Sequence, residues 1–257
     1  MPKIKVKNLE INYNSLGQKG PVLVILHGWG IDGSRFEELG KLLSDKFKVI
    51  IPDLPGFGKS DSPKKPWSVS DYTDFILDFM EQLKINQFYL LGHSFGGRVG
   101  IKMGIEHADR LKGLVLCCAA GIKPRPRVKG VILLILSKLG NLIFSLPLLK
   151  EVKQKGRKFF YKIVGKRDYT ELKGVMKKTF LKAIREDLKP LLKEIKADTL
   201  LLWGDKDRLT PLRDGEMMKR EILHSELKIV KGVGHRLPYE KPKKIANIIF
   251  NFLKERK

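Results

Sequence analysis

The chain has 257 residues, enough for one sizeable hydrophobic core or one domain that carries an insertion. Hydrophobic residues make up 42% and charged residues 31%, a balance that excludes fibrous, disordered and membrane-spanning classes and points to a soluble globular protein. The formal net charge is +23, which suits nucleic acid, an anionic membrane, an acidic protein partner or simply a lysine-rich solvated surface.

No basic block interleaved with aromatics forms a nucleic-acid module, so no nucleic-acid partner is expected. Cys117 and Cys118 are the only cysteines. Adjacent cysteines bridge only through a strained ring, so free thiols in a reducing compartment are expected. The charged start, Met-Pro-Lys-Ile-Lys-Val-Lys, has no apolar signal region behind it, and a cytoplasmic location follows as the expectation. No Cys/His spacing suggests a metal site, and no dinucleotide fingerprint suggests a cofactor. Neither is expected.

In chain order, residues 4–7 and 10–13 alternate like paired edge strands. Residues 22–26 form a continuous apolar run, as in a strand buried on both faces, and end in His27-Gly28-Trp29-Gly30. Ser34-x-x-Glu37 reads as a capping box for a helix whose inner face is Phe36, Leu39 and Leu43. A strand over 49–51 leads into the loop Pro52-Asp53-Leu54-Pro55-Gly56-Phe57-Gly58-Lys59-Ser60, in which Asp53 and Ser60 are expected to stabilise the turn. Ser68 or Ser70 caps a helix with Tyr72, Phe75, Ile76, Phe79, Met80 and Leu83 at 3.6-residue period. An apolar run at 88–91 delivers the chain into Gly92-His93-Ser94-Phe95-Gly96, followed by a helix-like segment and a strand over 114–117. Strands alternating with helices predict a mostly parallel sheet of about eight strands with helices on both faces, an α/β class.

The alternation breaks near Gly121 and resumes at Thr199. The sequence therefore predicts a core over 1–121 and 197–257, with a helical insertion, or cap, over 122–196. From 123 to 196 there are 21 lysines and arginines against 6 acids, which places +15 of the net charge there. Beyond it, a strand over 200–203 runs into Gly204-Asp205-Lys206-Asp207, and a last strand over 226–230 runs into Gly232-Val233-Gly234-His235.

Gly-x-Ser-x-Gly between a strand and a helix has a specific physical meaning. A serine at a strained bend projects its hydroxyl, and the flanking positions must lack side chains because neighbouring backbone lies against them. A serine hydroxyl attacks only when a base takes its proton and a third group orients that base. Asp207 and His235, each on a loop beyond a strand, complete such a set with Ser94; Asp205 is the rival acid, whose competing role is to shape its turn.

These four motifs, in this order, resemble the α/β-hydrolase superfamily over the whole chain except the insertion, which sits where members carry a variable helical cap. The resemblance implies Ser94 as nucleophile, His235 as general base and then acid, and Asp207 as its orienting carboxylate. It implies an oxyanion hole from the backbone amides of Trp29 and Phe95, with His27 and His93 packing the loops. A serine nucleophile disfavours the branches that use aspartate. The expected function is a serine carboxylesterase forming an acyl-enzyme on Ser94, acting on a small-molecule ester, with lactones within its scope. His-Gly-Trp-Gly and Asp-Leu-Pro-Gly-Phe-Gly also resemble the esterases of pimeloyl methyl esters on acyl carrier protein, and an acidic carrier or anionic surface would suit the basic insertion. Carbon–carbon bond hydrolases and cofactor-free haloperoxidases share the scaffold, and a non-catalytic basic binder is the contrasting reading.

Overall fold

The computed structural model describes residues 2–123 and 174–254. Two compact units divide the chain, one of residues 1–122 with 173–257 and one of residues 123–172. The expected insertion falls outside the described residues for 124–173, as do Arg157, Lys158, Lys162 and Arg167 within its basic run.

The eight strands of the first unit are β1 (Lys3–Val6), β2 (Leu9–Leu16), β3 (Val22–Leu26), β4 (Lys48–Pro52), β5 (Phe88–His93), β6 (Leu111–Cys117), β7 (Thr199–Gly204) and β8 (Ser225–Val230). They form one sheet in the order β1-β2-β4-β3-β5-β6-β7-β8. The first two strands pair antiparallel with each other, and β2 pairs antiparallel with β4. Every pairing from β4 through to β8 is parallel. All six of these strands therefore deliver their following loops to one edge of the sheet.

The helices are α1 (Glu37–Leu43), α2 (Val69–Gln82), α3 (Phe95–Glu106), α4 (Gly174–Arg185), α5 (Leu212–Glu221), the short α6 (Leu237–Glu240) and α7 (Pro242–Lys254). Successive strand residues face opposite sides, so the continuous apolar runs feed two cores. On one face Val24, Leu26, Leu90 and Leu116 pack with Phe75 and Phe79 of α2 and Val99 and Met103 of α3. On the other, Leu23, Ile25, Leu91 and Val115 pack with Leu39 and Leu43 of α1 and Ile245 and Ile249 of α7.

The start of α2 matches its sequence signal. Ser68 caps the helix and Asp71 completes the box, while Ser70 reaches Glu106 instead. A cap of this kind contributes about 1 kcal/mol. Each buried Phe, Tyr or Ile contributes roughly 1.5–3 kcal/mol, so packing outweighs the cap in holding α2. The capping box read at Ser34 needs correction. A 3-10 turn, Gly33–Phe36, precedes α1, and its cap is Asp32, whose carboxylate accepts the Ser34 amide. Phe36 occupies the N-cap position of α1 and makes no side-chain cap bond. The extra turn moves the aromatic ring into the core, where it is fully buried.

The turn between β5 and α3 is packed tightly against neighbouring backbone. A β-carbon on Gly92 would lie 2.3 Å from the Gly96 carbonyl oxygen, and one on Gly96 would lie 2.3 Å from that of Leu26. Both obstacles are backbone, which cannot swing aside. Gly232 differs: its φ is +78° but open space surrounds it. Gly96→Ala is therefore expected to cost about 3 kcal/mol or more, at the upper end of overpacking effects, and Gly232→Ala only about 1 kcal/mol from its left-handed backbone. Denaturant midpoints of the two variants check the ordering.

Candidate active site

Ser94 follows β5 and has φ +53° and ψ −109°, an unfavourable backbone for any residue with a side chain. Its conformation is held from three sides. The Ser94 amide donates to the Cys117 carbonyl at 3.2 Å, the Ala120 amide donates to the Ser94 carbonyl at 2.9 Å, and the Gly96 amide donates to the His27 carbonyl at 3.1 Å. From Phe88 to Gly104 every residue is buried except Ser94. Cys118, on the facing loop, has φ +46°. Two strained non-glycine residues thus meet at one place.

The acid and histidine loops are laced together. The Lys206 amide donates to the Val233 carbonyl at 3.0 Å, and the Gly232 amide donates to Asp205 Oδ1 at 2.7 Å. Asp205 is exposed, and its carboxylate shapes the turn, as one of its two sequence readings held. Asp207 is the residue that meets the histidine: its Oδ2 lies 2.8 Å from His235 Nδ1. Its other oxygen accepts the amides of Leu209 at 2.8 Å and Thr210 at 3.0 Å. The Thr210 hydroxyl sits 2.9 Å from Asp207 Oδ2 and 3.0 Å from the Cys118 carbonyl.

The electrostatics follow from this packing. Burial alone would raise the Asp207 carboxyl, but the hydrogen bond and charge of His235, with the Thr210 hydroxyl and amide, hold it below the usual carboxylate range. For His235, burial opposes the imidazolium, yet pairing with Asp207, helped by the Cys118 side chain, prevails and lifts it to about 9. The hydrogen bond to Cys117, together with burial, drives the Cys118 thiol upward too. Both cysteines are free and buried. Cys118, Asp207 and His235 offer metal-ligating atoms within 4.8 Å of one another, but two of these side chains are already joined as an acid–imidazole pair.

His27 and His93 have structural partners. The Leu54 amide donates to His27 Nε2 at 2.9 Å, which leaves Nδ1 to donate to the Gly28 carbonyl at 2.8 Å. Burial keeps His27 below its ordinary pKa. His93 Nε2 lies 2.9 Å from the His235 carbonyl, and the two rings pack at 4.9 Å. Burial, and then repulsion from His235, lowers His93 to about 3. A neutral His93 can therefore donate to the His235 backbone and fix that loop. Thr210, Cys118 and this action of His93 were not legible in the sequence; only the Thr-Pro step after the acid loop hinted at the first.

Asp53 accepts from the Asn12 side chain and from the Gly33 and Lys59 amides, and the Ser60 hydroxyl donates to the Asp53 carbonyl. Both stabilise loops, as their place in the sequence suggested. Trp29 follows β3 and packs edge-to-face on Phe57 and Phe95, with ring centroids 4.8 and 5.0 Å apart. Among the described residues the Trp29 and Phe95 backbone amides donate to no acceptor, and no hydrogen bond joins Ser94 Oγ to His235. A pocket of about 100 Å³ opens beside Ser94, lined by Trp29, Phe95, Arg98, Ala120 and Phe180 among others. A wider depression of about 470 Å³ between Ser34, Lys41 and Tyr239 contains none of these groups.

The chain matches the family described as alpha/beta hydrolase fold over residues 21–132. A curated relative, the 2-hydroxy-6-oxononadienedioate/2-hydroxy-6-oxononatrienedioate hydrolase of Escherichia coli (strain K12), is 28% identical over 96% of this chain and 92% of its own length. Among solved structures, a bacterial membrane phospholipase A superposes with a TM-score of 0.77 at 25% identity, covering 99% of this chain and 85% of that one. The enol-lactonase from Burkholderia xenovorans LB400 gives a TM-score of 0.75 at 22% identity, covering 98% of this chain and all 100% of the other. Sheet order, serine turn and these likenesses agree: the chain has the α/β-hydrolase fold.

Proposed function

We propose that this chain is a serine hydrolase that cleaves carboxylic esters, lactones included, through an acyl-enzyme on Ser94. The observation that carries the reading is the Asp207–His235 pair, 2.8 Å apart with Asp207 buried and His235 half-buried, on loops at the sheet edge where Ser94 is presented. Neutral His235 takes the Ser94 proton as Oγ attacks the carbonyl. Asp207 holds the imidazole with Nε2 free for that task and stabilises the cation that forms. The oxygen of the tetrahedral intermediate lies against the Trp29 and Phe95 amides, a kind of donor typically worth about 3 kcal/mol each. His235 then protonates the leaving alcohol, and water repeats the cycle on the acyl group. The Ser94–His235 hydrogen bond belongs to the substrate-bound state, since such contacts commonly tighten only there.

A second reading has its own support in the relative from Escherichia coli, whose name describes a dioate cleaved by hydrolysis. On this reading the same serine attacks a ketone and a carbon–carbon bond breaks. Recruitment of an acidic carrier protein, proposed from the basic run at 123–196, is a third refinement of the same serine chemistry. It predicts a salt-dependent kcat/KM for carrier-bound or anionic esters, since attraction between exposed charges is screened over about 8 Å at physiological salt.

Ser94→Ala is expected to remove hydrolysis and to abolish labelling by a serine-directed phosphonate while leaving the fold intact. Turnover near wild type in that variant would falsify the assignment. A panel of p-nitrophenyl esters, lactones and a conjugated 2-hydroxy-6-oxodienoate separates the readings by which bond is cut.

Asp207→Asn is expected to lower kcat about 10⁴-fold, because an amide stabilises the wrong imidazole tautomer. Asp205→Asn keeps an oxygen for the Gly232 amide and should cost less than about threefold, a loss near the 0.5 kcal/mol scale of a weakened neutral hydrogen bond. The reverse ranking would place the acid two residues earlier.

The pH profile supplies a separate check. Only neutral imidazole accepts a proton, so kcat/KM should rise with pH through the His235 pKa and level off above it. Pairing with Asp207 sets that midpoint above 6.5. Removing the carboxylate in Asp207→Asn should move the surviving rise to lower pH.

A further inference from the structure

Arg98 is an unexpected occupant of the pocket beside Ser94. It lies one helical turn beyond the serine on α3, its amide donating to the Ser94 carbonyl at 3.2 Å, so both residues sit on the same side of the helix. Arg98 is one of the residues that line the pocket, and it is only 5% exposed. A guanidinium has five N–H donors and no acceptor. One of them, on Nη1, meets the Glu186 carbonyl at 2.6 Å. Among the described residues no carboxylate lies within ion-pair distance of it. Burial lowers Arg98 to about 10, with Glu186 and Asp187 opposing the shift from farther off, so the group remains a cation at neutral pH.

A buried cation without an ion pair is costly, and a pocket meant only for a neutral acyl chain gains nothing from it. The other walls are Trp29, Phe95, Ala120 and Phe180, which exclude water and so strengthen any charge–charge contact made there. A second observation points the same way. The indole N–H of Trp29, also a lining residue, is buried without a hydrogen-bond partner among the described residues. A planar two-oxygen anion suits the fork of a guanidinium better than any neutral group. The excess positive charge of the chain, +23, favours the approach of such a molecule.

We propose that this pocket is a carboxylate subsite, with Arg98 as its anchor, and that the substrate carries a free carboxylate on the acyl side of the bond that Ser94 attacks. The natural class is then a half-ester or lactone of a dicarboxylic acid. One helical turn is about 5.4 Å, a span covered by a short chain of roughly three or four carbons. The proposal rests on the serine-hydrolase reading for its chemistry but not for its binding.

The test compares p-nitrophenyl hydrogen glutarate with p-nitrophenyl glutaramate, its uncharged amide counterpart of the same length. Wild type should favour the carboxylate by at least about tenfold in kcat/KM, the usual scale of one charged hydrogen-bonded contact. Arg98→Gln keeps an N–H within reach of the Glu186 carbonyl and should bring that ratio near one, chiefly through KM. Arg98→Lys should retain part of the preference. Equal rates for the two esters in wild type, or an unchanged ratio in Arg98→Gln, would overturn the anchor.

Calorimetric binding of glutarate to wild type, Arg98→Lys and Arg98→Gln gives a readout that needs no turnover. If neither ester is hydrolysed and Ser94 is not labelled, the hydrolase reading fails. In that case glutarate binding that is lost in Arg98→Gln still supports the subsite, whereas no binding by wild type overturns it. Should Arg98→Gln fail to fold, Arg98→Lys decides: weaker glutarate binding at an unchanged unfolding temperature supports the anchor, and unaltered binding overturns it.

Discussion

The structure depends on one compressed junction, where the backbone of Ser94 is forced to a positive φ between β5 and α3. Such a conformation costs about 1–3 kcal/mol and persists only when its surroundings overdetermine it. Here the surroundings do so with backbone atoms. Gly92 and Gly96 let the strand, the helix and the neighbouring strand β3 approach to distances that no β-carbon allows. Hydrogen bonds from Ser94 to the last residue of β6 and from Gly96 to the residue after β3 then pin the turn. Moving any of these segments would move the serine, so the two cores, packed on opposite faces of the sheet, indirectly hold the hydroxyl in place.

The acid and the imidazole are organised on a different principle. Their loops follow the last two strands, and the carboxylate of Asp207 is satisfied by two amides, a hydroxyl and the imidazole. A carboxylate bonded in this way stays ionised despite burial, and its charge raises the basicity of the group it faces. Asp205, two residues away, spends its oxygen on a loop amide. One turn thus separates a structural acid from an electrostatic one. His93 adds a third constraint, because its ring lies under the His235 ring and its Nε2 meets the His235 carbonyl.

Between these groups the pocket combines two characters. Aromatic rings around Trp29 give it apolar walls, while Arg98 sets a buried cation beside them. The same helix therefore carries the proposed nucleophile, Ser94, at its N-cap and a cation one turn later. On the proposed reading, this spacing sets the reacting serine and the anchor of a charged group on one helix. Both depend on the glycine-rich start of α3 lying hard against the sheet.

Much of this was legible in the sequence, and for physical reasons. Apolar runs such as 22–26 and 88–91 report burial on both faces, so they mark parallel central strands. Ser94, Asp207 and His235 stand out in the sequence because loops after parallel strands share one edge, and because glycine spacing reveals where backbones must touch. Local signals were less reliable where two turns compete, as at Ser34, where Asp32 caps an added 3-10 turn. What only the tertiary structure decided are contacts between residues far apart in the chain. These include Thr210 and Cys118 beside the acid, His93 against the backbone of a residue 142 positions away, and the exposure that separates Asp205 from Asp207. Arg98 belongs with them: in sequence it is one more basic residue on a helix, and only the fold, which sets α3 on the sheet and the Glu186 carbonyl against the guanidinium, buries its charge beside the serine.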